Sequence, residues 1–168
     1  MQCGPIVILI NGPINAGKSS VSKALCRLLP RTAHVEVDAL RDFIQWMPLD
    51  ESIALNLKNA GAVGGNFLAS GLNVVVSYPL NQEEYVYLSE QYRPFEVYCF
   101  TLSPRLEVLH RNRGGRPLTE WERERISFHY QSGIASPSFG VSVDNSDLTA
   151  EQTAQKILKA IQHVKDFV

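Results

Sequence analysis

Residues 12–19 read Gly-Pro-Ile-Asn-Ala-Gly-Lys-Ser, directly after the apolar run Ile6-Val7-Ile8-Leu9-Ile10. The octet matches G-x-x-x-x-G-K-[ST]. A strand-like run precedes it, and Val21, Ala24, Leu25 and Leu28 follow at helical spacing, which is the context the pattern requires. Glycines at 12 and 17 let the backbone curl so that successive N–H groups point inward as an anion-binding nest. Lys18 is placed to reach β- and γ-phosphates, and the Ser19 hydroxyl to ligate Mg²⁺. A helix starting near Ser19 aims the positive end of its dipole at the same charges. Gly12, Pro13, Ile14, Asn15, Ala16, Gly17, Lys18, Ser19 and Ser20 therefore form the expected nucleotide-phosphate site, with Ser19 the expected metal ligand.

Outward from that loop, apolar stretches at 6–10, 34–37, 72–77, 95–101 and 139–143 alternate with helical ones. Their Val- and Ile-rich, weakly alternating character suits a parallel sheet covered on both faces. Helix starts carry local signals: Asn81 with Glu84, Thr119 with Glu122, and Thr149 with Gln152 match capping patterns, and Ser103-Pro104 puts a proline at a first helical position. Ala154, Ile157, Leu158 and Ile161 give the closing helix one apolar stripe. Five strands interleaved with helices predict a doubly wound, largely parallel α/β domain spanning residues 1–168.

Composition narrows the function classes. A formal net charge of −1 argues against a general nucleic-acid binder, which usually shows a basic excess. No stretch has the length of a membrane span or the pattern of a secretory leader. Cys3, Cys26 and Cys99 are widely spaced and show no metal pattern; Cys26 and Cys99 are expected to be buried reduced thiols. The expectation is a cytoplasmic protein, monomeric or a small homo-oligomer, with neither nucleic acid nor membrane as partner.

Ligands of such sheets sit beyond the carboxyl ends of the strands. That places weight on the loop at 12–19, Asp38, Ser77 to Pro79, Leu102-Ser103 and Asp144-Asn145. The aspartate-x-x-glycine and Asn/Thr-Lys-x-Asp segments of guanine-nucleotide switches are absent. The third strand ends in Ser77, where motor and transport ATPases place an acid. Asp38, expected to end strand two, can take or orient the proton of an alcohol acceptor during phosphoryl transfer. It can equally be a helix N-cap or part of a magnesium shell. Arg41, one helical turn on, can read an anionic or polar part of the same acceptor with its fork of donors, or lie on the surface. Tyr78 and Trp46 can line the acceptor pocket or pack the core.

A second charged constellation is His110-Arg111-Asn112-Arg113-Gly114-Gly115-Arg116-Pro117. Arginines separated by glycines can form a lid that excludes water and brings positive charge to the transition state. Arg116 is its expected catalytic residue. The alternative is a basic turn balanced by Glu120, Glu122 and Glu124. His34, His129 and His163 lack ligand spacing and are expected at the surface or a strand edge. Trp121 is expected to anchor the helix after the lid. The Gly-rich stretch 60–65 can break a helix, permit close packing, or belong to a mobile cover over the acceptor.

The loop at 12–19, the acid expected at the end of strand two, Arg-Gly-Gly-Arg-Pro-Leu-Thr at 113–119 and Val-Asp-Asn-Ser-Asp-Leu-Thr at 143–149 resemble the small-molecule kinases of the P-loop superfamily. Shikimate kinase, gluconate kinase and chloramphenicol phosphotransferase are of this kind. The stretch 37–48 is most similar to the chloramphenicol phosphotransferase-like group, in which a matching aspartate is the general base. The resemblance implies a P-loop NTPase fold with strand order 2-3-1-4-5, helices on both faces and an Arg-rich lid at about 111–118. It also implies ATP and Mg²⁺ as cofactors, with Asn145 near adenine and Arg111 stacked on it. The implied activity is transfer of the γ-phosphate to a hydroxyl of a small metabolite or antibiotic. Nucleoside monophosphate kinases and toxin-type kinases of nucleotide-sugars are alternatives, and Ser77 raises a non-catalytic nucleotide-binding regulatory module as another.

Overall fold

The computed structural model describes residues 4–111 and 117–165. Five strands, β1 (Ile6–Asn11), β2 (Thr32–Glu36), β3 (Asn73–Ser77), β4 (Glu96–Leu102) and β5 (Val141–Val143), form one sheet in the order β2-β3-β1-β4-β5. All pairings are parallel, with Ile10 opposite Ser77 and Phe100, and Glu36 opposite Ser77. The sheet has the architecture expected from the alternating apolar runs and the strand order that the resemblance implies.

Helices α1 (Lys18–Leu28), α2 (Val37–Leu40), α3 (Leu49–Ala69), α4 (Gln82–Gln91), α5 (Leu106–Leu109), α6 (Glu120–Gln131) and α7 (Ala150–Lys165) connect and cover the strands, and a 3₁₀ turn, Arg41–Ile44, follows α2. Alternation along β1 divides the core. Ile6, Ile8 and Ile10 pack with Val21, Ala24 and Leu25 of α1 and with Ala154, Ile157 and Ile161 of α7. Val7 and Leu9 face the other side, toward Leu57, Ala60 and Leu68 of α3 and Leu88 of α4. The apolar stripe expected on the closing helix is thus the seam against α1. Because every residue of β1 is buried, the strand carries no polar side chain until Asn11, where it leaves the sheet.

Local capping follows the sequence at three helices. Asn81 and Glu84 exchange reciprocal bonds at the start of α4, Thr119 and Glu122 do so before α6, and Thr149 with Gln152 before α7. Such caps are decided by residues three apart, so they are readable locally. The fourth expectation is corrected: α5 begins at Leu106 after Arg105, so Pro104 is not a first helical residue.

The strand ends also shift. β2 closes at Glu36, not at 37, and β5 begins at Val141, not at 139. Phe139 lies before the strand and stacks on Tyr85 of α4, with ring centroids 4.2 Å apart. The glycines at 60–65 do not break a helix, since α3 runs through them. Gly61 lies under Gln91 and Gly64 under Tyr92, and a Cβ at 64 would meet the Tyr92 hydroxyl at 2.6 Å. Their small size lets α3 approach the end of α4 closely. Among the described residues, no helix is long and apolar enough to cross a membrane.

Candidate functional site

The carboxyl ends of β1, β2 and β3 open on a cavity of about 780 Å³. Strand connections leave in opposite directions on the two sides of β1, so the crevice forms where the fold rule for open α/β sheets puts it. Buried Asn11 holds the floor together. Its amide donates to Thr101 Oγ1 (3.0 Å) and the Ile134 carbonyl (3.3 Å), and its Oδ1 accepts from Leu80 N–H (2.7 Å).

The loop at 12–19 forms the wall nearest α1. Gly12 has φ +138°, and a Cβ there would meet the Leu102 carbonyl oxygen at 2.6 Å, so glycine is required by both conformation and space. Gly17 (φ +93°) precedes α1 directly. The main-chain N–H groups of Lys18 and Ser19 open that helix with no intrahelical carbonyl before them, at residues that line the cavity and with the helix dipole behind them. Ile14, Asn15, Gly17, Lys18, Ser19 and Ser20 line the cavity. Gly12, Pro13 and Ala16 shape the loop from beneath, and all three are buried.

Lys18 Nζ donates to the carbonyls of Gly12 (3.0 Å) and Pro13 (2.9 Å), which curls the side chain back along the loop. Burial pushes its pKa down to about 8, against the opposing pull of the Asp38 and Glu36 carboxylates. Ser19 Oγ donates to Glu36 Oε1. Glu36 sits opposite Ser77 across the β2–β3 ladder. The acid missing from the end of β3 is therefore present one strand over, at the same level of the sheet. Ser77 Oγ instead pairs with His34 Nε2 at 2.8 Å.

Asp38 is corrected in place. It does not end strand two but lies inside the short helix α2, whose N-cap is Glu36 without a side-chain cap bond. Asp38 is thus not the N-cap. Its side chain is exposed to the cavity, whose walls crowd it. That loss of solvent raises its carboxyl above the usual range, as does Glu36, while Lys18 and Arg41 pull it down. Arg41 also lines the cavity, and its Nε is buried without a hydrogen-bond partner. Tyr78 lines the same space, its phenol pushed up by burial and by the Asp38 and Glu84 carboxylates.

Other residues fall elsewhere. Trp46 is 80 % exposed and outside the cavity wall, so neither pocket nor core accounts for it. Trp121 lines the cavity mouth and is half exposed. Asn145 is buried, its amide donating to the Ala16 carbonyl (2.9 Å) of the loop at 12–19, with Oδ1 unpartnered. Arg111 is exposed, and its carbonyl accepts from Asn15 Nδ2 (3.0 Å). Arg113 and Arg116 lie outside the described residues, as does Cys3. Cys99 is buried as expected, but Cys26 is only half-buried at the edge of the α1 core.

His129 is the largest departure. Expected at the surface, it is 2 % exposed and lines the cavity, and its Nδ1 accepts from Ile14 N–H at 3.3 Å. Burial, Lys18 and Arg125 push its pKa down to about 4. The missed residues Glu122, Arg125, Phe128 and His129 occupy one face of α6, and Arg125 stacks over the Phe128 ring at 4.7 Å. Their i, i+3, i+4 spacing was the available signal, a helical stripe of aromatic and charged residues in place of an apolar one. Glu36 had a weaker one, an acid two residues before Asp38.

No protein-family model and no curated protein matches the chain. Solved structures do. An APS kinase from Mycobacterium tuberculosis, determined with AMPPNP and APS, superposes with a TM-score of 0.68 at 16 % identity, covering 95 % of this chain and 99 % of that one. The tunicamycin resistance protein of Deinococcus radiodurans gives 0.69 at 18 % identity over 94 % and 95 %. A gluconokinase from Sinorhizobium meliloti 1021 gives 0.65 at 21 % identity over 97 % and 95 %. The chain has the fold of the P-loop small-molecule kinases, at low sequence identity.

Proposed function

We propose that this protein is an ATP-dependent phosphotransferase acting on a hydroxyl group of a small molecule. The observation that carries the reading is the meeting of Lys18 and Asp38 in one cavity at the carboxyl ends of the central strands. One residue suits the transferred phosphate and the other an incoming hydroxyl. The kinase fold, and the APS kinase determined with AMPPNP and APS, support it.

In this reading the loop at 12–19 cradles the triphosphate, and Lys18 leaves its carbonyl partners to counter phosphate charge. Asp38 accepts or orients the acceptor's proton. Its raised pKa brings the carboxylate's basicity closer to that of a working general base. Asn145 and Arg111 flank the nucleotide side as the resemblance implies, and Arg116 completes the charge on the transferring group. Ser19 and Glu36 offer two hard oxygen donors side by side and fit a Mg²⁺ site. Bound there, the ion would neutralise charge on the phosphate oxygens. Glu36 also removes the main ground for a non-catalytic module, since the acid lacking at Ser77 is supplied beside it. The acceptor carries an anionic or strongly polar group, because a buried, unpartnered Arg41 Nε is costly until a ligand satisfies it.

Incubation with γ-labelled ATP, Mg²⁺ and a broad panel of hydroxylated metabolites and antibiotics tests the reading. Label is expected to move to an acceptor, and to do so roughly 10²-fold more slowly in Asp38→Asn. Saturable ATP binding without transfer to any acceptor would sink it and leave a nucleotide-binding module.

A further inference from the structure

We infer that His129 is a positioning residue that fixes the phosphate loop from the acceptor side of the cavity by holding the main chain at Ile14. Its functional consequence rests on the phosphotransferase reading, but the geometry does not.

A buried ring nitrogen needs a hydrogen-bond partner. His129 finds one across 115 residues of sequence, at one N–H of the loop, with Nδ1 3.3 Å from Ile14 N. A main-chain N–H can only donate, so Nδ1 must be unprotonated and the ring proton must sit on Nε2. The surroundings enforce that state. Lys18 on the loop side and Arg125 on the same helix both oppose an imidazolium, and the ring has little water to support one.

The choice of Ile14 has a reason in the loop itself. Pro13 has no N–H, and the Ala16 N–H is turned onto the Pro13 carbonyl at 3.3 Å. Among the described residues no backbone carbonyl accepts from the Ile14 N–H, and His129 takes it. The N–H groups at the start of α1 meet no side-chain cap. The next residue, Asn15, has φ +64° and is held on the other flank, its amide donating to the carbonyls of Leu109 (2.6 Å) and Arg111 (3.0 Å). Two adjacent crown residues are thus anchored by different elements, Ile14 by α6 and Asn15 by the chain at the end of α5.

Helix α6 also presents Trp121, Arg125 and Phe128 to the cavity, on the face where the acceptor is proposed to bind. The His129–Ile14 bond, beside the apolar packing of Ile14 in the cluster that holds Ile126 and Tyr130, links this helix to the loop. Its loss should relax the loop, lowering affinity for the nucleotide without removing any group that touches phosphate.

Two substitutions separate this from a packing role. His129→Phe keeps a ring and loses the acceptor, whereas His129→Asn loses the ring and keeps an oxygen close to the position of Nδ1. Calorimetry with Mg·ADP should show affinity weakened about tenfold in His129→Phe, the scale of one lost buried hydrogen bond. His129→Asn should stay within about threefold of the unaltered protein. Hydrogen exchange at the Ile14 amide should quicken in the first variant and not in the second. Equal affinities in the two variants, with Ile14 exchange unchanged, would overturn the inference. Should His129→Phe fail to fold, nitrogen NMR on the unaltered protein decides. The ring is expected to be neutral with its proton on Nε2 from about pH 5 to about pH 8. A proton on Nδ1, or titration at the ordinary histidine value, overturns the assignment. Absence of Mg·ADP binding by the unaltered protein would refute the kinase reading, and the tautomer and Ile14 exchange would still decide this one.

Discussion

Raising the pH from about 7 to about 9 should weaken Mg·ADP binding about tenfold, through Lys18. The ammonium is tucked under the loop against the Gly12 and Pro13 carbonyls, and burial brings its pKa down to about 8. At about pH 7 roughly nine-tenths of the free protein carries the charge, and at about pH 9 roughly one-tenth does. A bound polyphosphate stabilises the ammonium, so the complex keeps a proton that the free protein has lost. Binding then takes up a proton, and affinity falls as pH rises, approaching tenfold per unit beyond the free pKa. Two neighbouring groups are pushed away from this window: burial takes His129 down to about 4 and the Tyr78 phenol above its ordinary value. Calorimetry in two buffers of different ionisation enthalpy measures the proton directly. Close to one proton per nucleotide is expected at about pH 9 and about one-tenth at about pH 7. Lys18→Met should bind more weakly and show no slope. Constant affinity across the range in the unaltered protein, with no proton taken up, would refute the placement of Lys18 and the electrostatics drawn from it.

Asp38→Asn should preserve Mg·ADP binding and lower turnover by roughly 10²-fold, the usual scale for a lost general base; near-normal turnover in the variant would remove the carboxylate from the chemistry. Glu36→Gln should raise the Mg²⁺ concentration needed for nucleotide binding about tenfold while leaving metal-free nucleotide affinity nearly unchanged, as expected of a lost charged oxygen donor. An unchanged Mg²⁺ titration would take Glu36 out of the metal shell. Gly64→Ala should destabilise the fold by about 1–3 kcal/mol, because the added Cβ meets the Tyr92 hydroxyl at 2.6 Å and strains its bond to the Ala60 carbonyl. Urea denaturation measures it, and a midpoint equal to the unaltered protein's would show that α3 and the end of α4 can move apart at no cost.

Much of the molecule was legible in the chain because it is written locally. The octet at 12–19 is one turn of backbone, and its glycines, lysine and serine act through main-chain geometry within eight residues. The three capping boxes need partners three apart, and the stripe on α7 needs only helical periodicity, so these too stand in the sequence. The strand order was supplied by resemblance, since period-two runs establish that strands exist without saying which are neighbours.

Tertiary structure decided what depends on neighbours distant in the chain. Asp38 and Glu36 differ in place because β2 stops at Glu36, where its pairing with β3 ends at Ser77, and Asp38 falls in α2. No property of the 36–38 stretch alone reveals that register, so Asp38 was read as a strand end and Glu36 was passed over. The compensation of Ser77 by Glu36 is likewise a contact between strands whose sequences lie forty-one positions apart. His129 was misread for the same reason. A histidine on a helix with many charged neighbours has the sequence profile of a surface residue. Only the fold shows that this face of α6 turns onto the phosphate loop, where burial and two cations set its charge and a single main-chain N–H determines which nitrogen carries the proton.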